Sequence, residues 1–307
     1  MRLLYVVDPL DTLNLETETS LLIMEEAARR GHENRVATVA DLYLADRGGE
    51  ARSRRIDLLP GETPFYRLGA EGDGPLAAFD VVLMRKDPPV DEAYIAATHV
   101  LEHAGTRVVN DPVALRSLNE KLLPLLFDVP TPPSLVTSDP RRARDFVAAH
   151  GRAVLKPLND CSGRGISILA SPAEVPEVLP GGFALVQRFL DGVAAGDKRI
   201  YLLEGRAIGA VNRVPRDASA LANIHQGARV EPTALTAAEQ RIVAVVGPAL
   251  VRQGIWMAGL DVIDGHLTEV NITSPSAARQ INAVSGAHIE RDLVDFLESA
   301  IAPAPKR

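Results

Sequence analysis

Short apolar runs alternate with amphipathic ones through the first third of the chain, and few architectures accommodate that order. "LLYVVD" (3–8) is apolar until an aspartate ends it, as expected of a strand covered on both faces. "SLLIMEEAARRG" (20–31) then reads as a helix, with Ser20 as the predicted cap, Glu25 and Glu26 along it and Gly31 as its stop. Strands are predicted over 33–39 and 80–85, a helix over 91–105 and a strand over 106–110. The pattern predicts an α/β fold with a mostly parallel sheet between helices. Residues 47–75, rich in glycine, arginine and acid, read as a long surface excursion.

Near residue 120 the pattern changes. A helix (142–151) precedes a strand (153–158), a glycine-containing turn and a second strand (165–169), together a hairpin. Further strands are expected at 183–190 and across 198–214, the latter broken by Glu204-Gly205. A long helix (236–254) leads into the hairpin "LDVIDGHLTEVN" (260–271), and an amphipathic helix closes the pattern at 288–301. The 307 residues divide into three predicted units: 1–120, 121–185 and 186–307.

Bulk properties narrow the function. A net charge of −7 argues against general nucleic-acid affinity, though inward-pointing arginines can still hold a small anion. Cys161 is the one cysteine, which excludes an intrachain disulfide framework and fits a reducing, cytoplasmic setting. "MRLLYVVDPL" is too short an apolar run for a signal peptide, and the absence of an 18-residue apolar stretch predicts no membrane span. The histidines lack metal-ligand spacing. His225, in a loop with Asn223, is the one singled out for contact with substrate or phosphate.

Three groups carry chemistry. In the 260–271 hairpin, a strict two-residue turn at Asp264-Gly265 puts Asp261 opposite Thr268. A three-residue loop, 264–266, puts Asp261 opposite Glu269, with Asn271 on the same face. The wider loop, the preferred reading, gathers two carboxylates and an amide oxygen, a set suited to Mg²⁺; a polar rim on an edge hairpin is the competing reading. Next, "VLKPLNDCSGRGISIL" (154–169) sets Lys156 on a strand before a turn holding Gly163 and Gly165, so that an ammonium and backbone N–H groups can meet phosphate; it is neither a P-loop nor a Rossmann fingerprint. Finally Arg85, Lys86, Lys121, Lys198, Arg199, Arg213 and Arg229 form a basic set, with Arg85 at a strand end where parallel sheets bind ligands. Guanidinium groups there suit carboxylates.

Taken together these groups resemble the ATP-grasp superfamily, and within it the bacterial glutathione synthetases. The likeness runs over nearly the whole chain, through "DP" (8–9) with Asn14, "MRKDPP" (84–89), "VVNDPVALRSLNEKL" (108–122), "LKP" (155–157), "GDKR" (196–199), "GLDVID" (259–264) and "LTEVNITSP" (267–275). It implies an ATP-grasp fold behind an N-terminal Rossmann-like, parallel-sheet domain, and a Mg²⁺-dependent carboxylate–amine ligase, with Mn²⁺ as an alternative ion. The reaction implied joins γ-glutamylcysteine to glycine with ATP, through an acyl phosphate, in a cytoplasmic homo-oligomer (dimer or tetramer).

By the same resemblance Asp261, Glu269 and Asn271 match metal ligands, and Lys121 and Lys156 match lysines on the ATP phosphates, with Gly163 and Gly165 in the covering turn. Gln187, Arg188, Phe189 and Leu190 match the strand lining the adenine. Lys156, Arg199 and Arg213 match groups acting where charge develops, and Asn14, Arg85, Arg213, Arg229, Ser274 and Ser276 match substrate-facing positions; Asn223 and His225 are substrate-facing candidates from their loop alone. The chain departs from the family pattern where "TETS" (17–20) lacks a lysine, in the longer turn 159–165, in 216–229, and at Gln280 where glutamate is common. Two rivals follow: a related ligase with another carboxylate donor or amine acceptor, and a non-catalytic nucleotide-binding or scaffold protein.

Overall fold

The computed structural model describes residues 1–46, 48–159, 165–215 and 228–299. Cys161, Gly163, Asn223 and His225 lie outside the described residues.

Apolar side chains on both faces bury most of the first strands, and they pair in parallel. β1 (Arg2–Val6) lies between β2 (Glu33–Ala37) and β6 (Val81–Met84), and β7 (Arg107–Val109) follows β6. Helix α1 (Thr19–Arg29) connects β1 to β2, and α2 (Glu92–Glu102) connects β6 to β7. Ser20 does not cap α1: Glu18 occupies that position and its carboxylate accepts from Ser20 N at 2.8 Å. The excursion predicted at 47–75 is instead sheet. β3 (Leu42–Ala45), β4 (Gly48–Leu58) and β5 (Tyr66–Pro75) extend the parallel core as antiparallel strands, with β4 joined to β2 through Arg54 and Arg55.

Two further sheets follow a short helix, α3 (Pro112–Ser117). A four-stranded sheet contains β8 (Ser134–Thr137), β9 (Ala153–Pro157), β10 (Ser167–Leu169) and β11 (Ala184–Arg188), covered by α4 (Pro140–His150). Its core, around Val147, Leu155, Leu169 and Val186, shares no residue with the other two clusters. The last sheet has the order β14-β13-β12-β15-β16, from β12 (Asp197–Leu203), β13 (Arg206–Val214), β14 (Arg229–Pro232), β15 (Met257–Ile263) and β16 (His266–Asn271). Helices α5 (Ala237–Arg252), α6 (Ala278–Ser285) and α7 (Ile289–Ser299) complete it.

The first and last sheets are not independently filled. One apolar cluster joins Leu4, Val82 and Met84 to Ile200, Leu260 and Val270; a second joins Leu3, Tyr5 and α1 to Tyr201, Met257 and α7. Asn110 stitches the two sheets polar-to-polar. Its amide nitrogen donates to Met257 O (2.8 Å) and Ile272 O (2.7 Å), and its oxygen accepts from Trp256 N (2.9 Å) and Met257 N (3.0 Å). The strand ends of the N-terminal sheet are thereby fixed against the 272–277 turn. Among the described residues no helix is long and apolar enough to cross a membrane.

Candidate active site

The 260–271 hairpin brings its acidic side chains together, by a route the turn did not announce. Asp264 and Gly265 both have positive φ, +48° and +72°, the two-residue geometry whose twist matches that of the flanking strands, and Ile263 pairs with His266. The predicted three-residue loop is therefore wrong, yet the predicted pairing of Asp261 with Glu269 is right. A β-bulge between Asp261 and Val262 shifts the register by one, and Thr268, the extra residue, donates its hydroxyl to Asp261 O at 3.1 Å. Asn271 pairs with Gly259, on the same face as Glu269.

Asp261 is 5% exposed and sits in a cluster of charge. Arg199 spans both of its oxygens (Nε–Oδ1 2.5 Å, Nη2–Oδ2 3.0 Å), Arg213 Nη2 is 2.9 Å from Oδ1, and Asn271 Nδ2 donates to Oδ2 at 3.2 Å. A carboxylate offers about four acceptor positions, so all of them are engaged. Burial pushes the Asp261 carboxyl up, but the two guanidinium groups outweigh it and hold it down at about 2. Arg213 also reaches Asp197 Oδ2 at 2.6 Å. For Asp197 burial prevails, with the charge of Asp261 adding to it against the pull of Arg213, and its carboxyl rises to about 6.

Two lysines face this cluster. Lys121 is 4% exposed, with Nζ 3.5 Å from Glu269 Oε1. Lys156, on β9, donates to Gln187 Oε1 at 3.0 Å, and Gln187 in turn donates to Ser134 Oγ at 3.1 Å. Burial lowers the Lys156 pKa; Glu269 opposes that shift and Lys121 reinforces it, so this lysine of the second sheet lies in the field of the third. Gln187 is buried and Arg188 exposed, Phe189 lies beneath the guanidinium of Arg152 (3.9 Å to the ring centre), and Leu190 is buried. Gly165 has φ +67°, and a Cβ there would come within 2.8 Å of Pro157 Cγ.

The substrate-facing predictions fare unevenly. Arg85 does directly follow the end of β6, but its side chain is turned inward. It donates from Nε to Ser20 Oγ and from Nη2 to Pro275 O, each at 3.0 Å, and Nη1 has no partner among the described residues. It braces α1 against the turn that holds Ser274 and Ser276, whose carbonyl at 276 accepts from Arg199 Nη1 at 3.3 Å. Beside it Asp87 is driven up to about 6 by burial and then by Glu18, against Arg85. Asn14 is exposed and closes its own turn by accepting from Glu16 N at 2.9 Å. Arg229 does not join the cluster; it is exposed and paired to Glu231 at 2.6 Å. Sequence reasoning overlooked Asp197, although it lies inside "GDKR", and Glu120, whose sole signal is a carboxylate beside Lys121.

The donor chemistry at Asp261, Glu269 and Asn271 fits a hard cation. Asn271 Nδ2 and Asp261 Oδ2 are 3.2 Å apart. Turning the amide over presents two oxygens at close to the ~3 Å spacing of neighbouring ligands in an octahedron with ~2.1 Å bonds. Among the described residues no group of three or more His, Cys, Asp or Glu side chains is arranged to hold a metal, so the fit depends on that amide.

Comparison with known proteins covers nearly the whole chain. The family described as prokaryotic glutathione synthetase, N-terminal domain, matches residues 1–116, and its ATP-grasp domain matches residues 120–286. The chain is 42% identical to the glutathione synthetase of Gloeobacter violaceus, over 100% of this chain and 99% of that one. It is 37% identical to that of Synechocystis sp., over 97% and 99%. Among solved structures it superposes on the D-cycloserine synthetase DcsG with a TM-score of 0.69, at 16% identity, covering 96% of this chain and 99% of that one. The D-alanyl-alanine synthetase A of Vibrio cholerae gives 0.63 at 14% identity, covering 99% and 98%. At such identities these structures establish the fold, and the sequence matches establish the rest: the chain belongs to the prokaryotic glutathione synthetase family, ATP-dependent carboxylate–amine ligases built on an ATP-grasp fold.

Proposed function

We propose that the protein is a glutathione synthetase, joining the carboxylate of γ-glutamylcysteine to the amine of glycine at the expense of ATP, as the name of its 42%-identical relative suggests. The observation that carries the reading is the Asp261–Glu269–Asn271 surface of the hairpin with the buried Lys121 set 3.5 Å from Glu269. The three units 1–120, 121–185 and 186–307 then serve substrate, nucleotide cover and catalysis.

A carboxylate cannot expel oxide, so it is first phosphorylated, and the amine displaces phosphate from the acyl phosphate. Lys121 and Lys156 hold the phosphates by charge, and the Gln187–Leu190 strand end lines the base. Arg199 and Arg213 supply fixed positive potential where charge builds on the transferred group. Asp261, Glu269 and Asn271 would hold magnesium, which neutralises phosphate charge during transfer.

One observation favours a second reading, a ligase for a different carboxylate or amine. One departure lies next to another: Gln280 Nε2 donates at 3.0 Å to the carbonyl oxygen of Glu16, the residue before the 17–20 stretch, and Gln280 Oε1 is buried without a partner among the described residues. The protein, incubated with ATP, magnesium, γ-glutamylcysteine and glycine and analysed by mass spectrometry, is expected to yield ADP and glutathione in equal amounts, and Glu269→Gln to suppress both. ADP with no glutathione, but with another amide from a pooled panel, establishes the second reading. No amide from any pair refutes ligase chemistry by this chain.

A further inference from the structure

Glu120 is a carboxylate with 8% exposure that makes no ion pair among the described residues. What it holds is backbone. Its Oε1 accepts from Ile272 N at 2.6 Å, Thr273 N at 2.9 Å and the Thr273 hydroxyl at 2.9 Å, while its main-chain oxygen accepts from Val270 N at 2.9 Å. Those residues flank Asn271 on both sides. β16 is the outer strand of its sheet, and the segment carrying Glu120 covers its open edge, helped by Leu267 N donating to Pro130 O at 2.9 Å. The residue after Glu120 is Lys121, 3.5 Å from Glu269. One side chain therefore ties a nucleotide-facing lysine to the strand bearing two of the three candidate cation ligands, and to the start of the 274–276 turn.

A merely space-filling residue at 120 would need no charge, and charge here is costly: burial, then the nearby Glu269, push the Glu120 pKa up. Three donors on one oxygen are the return for that cost, since charge-assisted bonds to backbone N–H are short and directional. We propose that Glu120 is a positioning residue for the ligase reaction, gripping residues 270–273 so that Lys121, Glu269 and Asn271 converge on the phosphates. The proposal rests on the nucleotide-site reading above and is independent of which amine is the acceptor.

The test compares wild type with Glu120→Ala, Glu120→Gln and Thr273→Val, using ADP binding by calorimetry, thermal melting, and kcat and KM for each substrate. Displacement of reacting groups by about 1 Å costs on the order of 100-fold, so Glu120→Ala is expected to lower kcat and weaken ADP binding by at least about tenfold, with KM for the amine within about twofold. Glu120→Gln keeps one oxygen for the three donors and is expected to recover ADP affinity to within about threefold of wild type. Wild-type ADP affinity and kcat in Glu120→Ala overturn the proposal, as does a Gln variant no better than Ala. If Glu120→Ala does not fold, Thr273→Val decides: a few-fold loss in kcat at wild-type amine KM is expected, and no loss overturns the proposal. Wild-type protein that binds ADP but makes no glutathione instead refutes the glutathione reading and leaves the Glu120 comparison intact.

Discussion

Replacing Asp261 with asparagine should destabilise the protein more than its near-identical shape suggests. Asp261 is the shared acceptor of Arg199 at 2.5 and 3.0 Å and of Arg213 at 2.9 Å, all three side chains being at least nine-tenths buried. Asparagine removes one negative charge and turns one oxygen into a donor, which then faces a guanidinium or the Asn271 amide. With Asp197 still ionised the cluster passes from neutral to a surplus of one buried positive charge. Removing one partner of a buried pair costs about 3–5 kcal/mol, chiefly because the other charge is left uncompensated. At ~2.1 cal/mol/K per residue, unfolding of the whole 307-residue chain makes that a fall in Tm of roughly 5–8 °C. Urea unfolding followed by circular dichroism and by Trp256, the single tryptophan, measures it. The double variant Asp261→Asn with Arg199→Met is the discriminating control: it removes the surplus charge and keeps the 2.6 Å Arg213–Asp197 pair. It should recover at least about 1 kcal/mol over the single variant. A single variant within about 1 kcal/mol of wild type, or a double variant no more stable than the single one, would refute the reasoning.

Asp87 has a folded pKa near 6 against 3.8 for the free group, so the native state keeps a proton that the unfolded chain releases across this window, and the cost of the charge is complete above pH 6. Asp87→Asn is therefore expected to stabilise the protein at pH 8 by at most about 3 kcal/mol, with the gain vanishing near pH 3.8 in urea titrations at the two pH values. Asn110→Ala strands four buried backbone groups of residues 256, 257 and 272 and should cost on the order of 3–5 kcal/mol by the same titration. In α5, a Cβ on Gly247 would lie 2.0 Å from Gly205 O, a backbone atom that cannot rotate away. Gly247→Ala is accordingly expected to lower stability by about 3 kcal/mol, while Val246→Ile alongside it does not relieve the clash; an unchanged melting temperature for Gly247→Ala would show that α5 is free to shift.

The parallel core of the N-terminal sheet was legible because Leu3, Leu4, Tyr5, Val6, Val81, Val82, Leu83 and Met84 are buried on both faces, and an unbroken apolar run has few other uses. β4 was not. Its inward positions are Gly49, Ala51, Ser53 and Ile56, three of them small, and its outward ones between Glu50 and Asp57 are charged, so no apolar alternation marks it. β5 is glycine-rich and acidic, and partly or fully exposed along its length. Pairing with β4 makes it a strand, and that information lies in the partner. At the site, the pairing of Asp261 with Glu269 was readable, but its cause was assigned to the turn when it belongs to a bulge at Thr268. Both give the same register count, and only the backbone distinguishes them. Arg85 shows the complementary limit. Strand-end position is written in the sequence, but the direction of its guanidinium depends on Pro275 O, 190 residues along the chain.

The charge balance at Asp261 links stability to the proposed chemistry. With its acceptor positions engaged by Arg199, Arg213 and Asn271, the carboxylate is stabilised as an anion by the protein's own guanidinium groups. Under the proposed function a cation must then compete with these donors, and the weakest of them yields first. That is the neutral Asn271 amide at 3.2 Å, which would become a ligand by turning over and giving up both this bond and the one it donates to Gly259 O at 3.3 Å, while the charge-assisted Arg199 contacts at 2.5 and 3.0 Å persist. Glu269 is held more loosely, by Lys121 at 3.5 Å, and Lys121 is the group expected to move onto phosphate. Asp261, Glu269 and Asn271 would hold the cation, with the Arg199–Asp261 pair the more firmly fixed part of the site and the β16 residues Glu269 and Asn271 the less firmly held. The grip of Glu120 on residues 270–273 acts on that same, less firmly held side. Order imposed there sharpens the site, whereas order imposed on the already saturated Asp261 would add nothing.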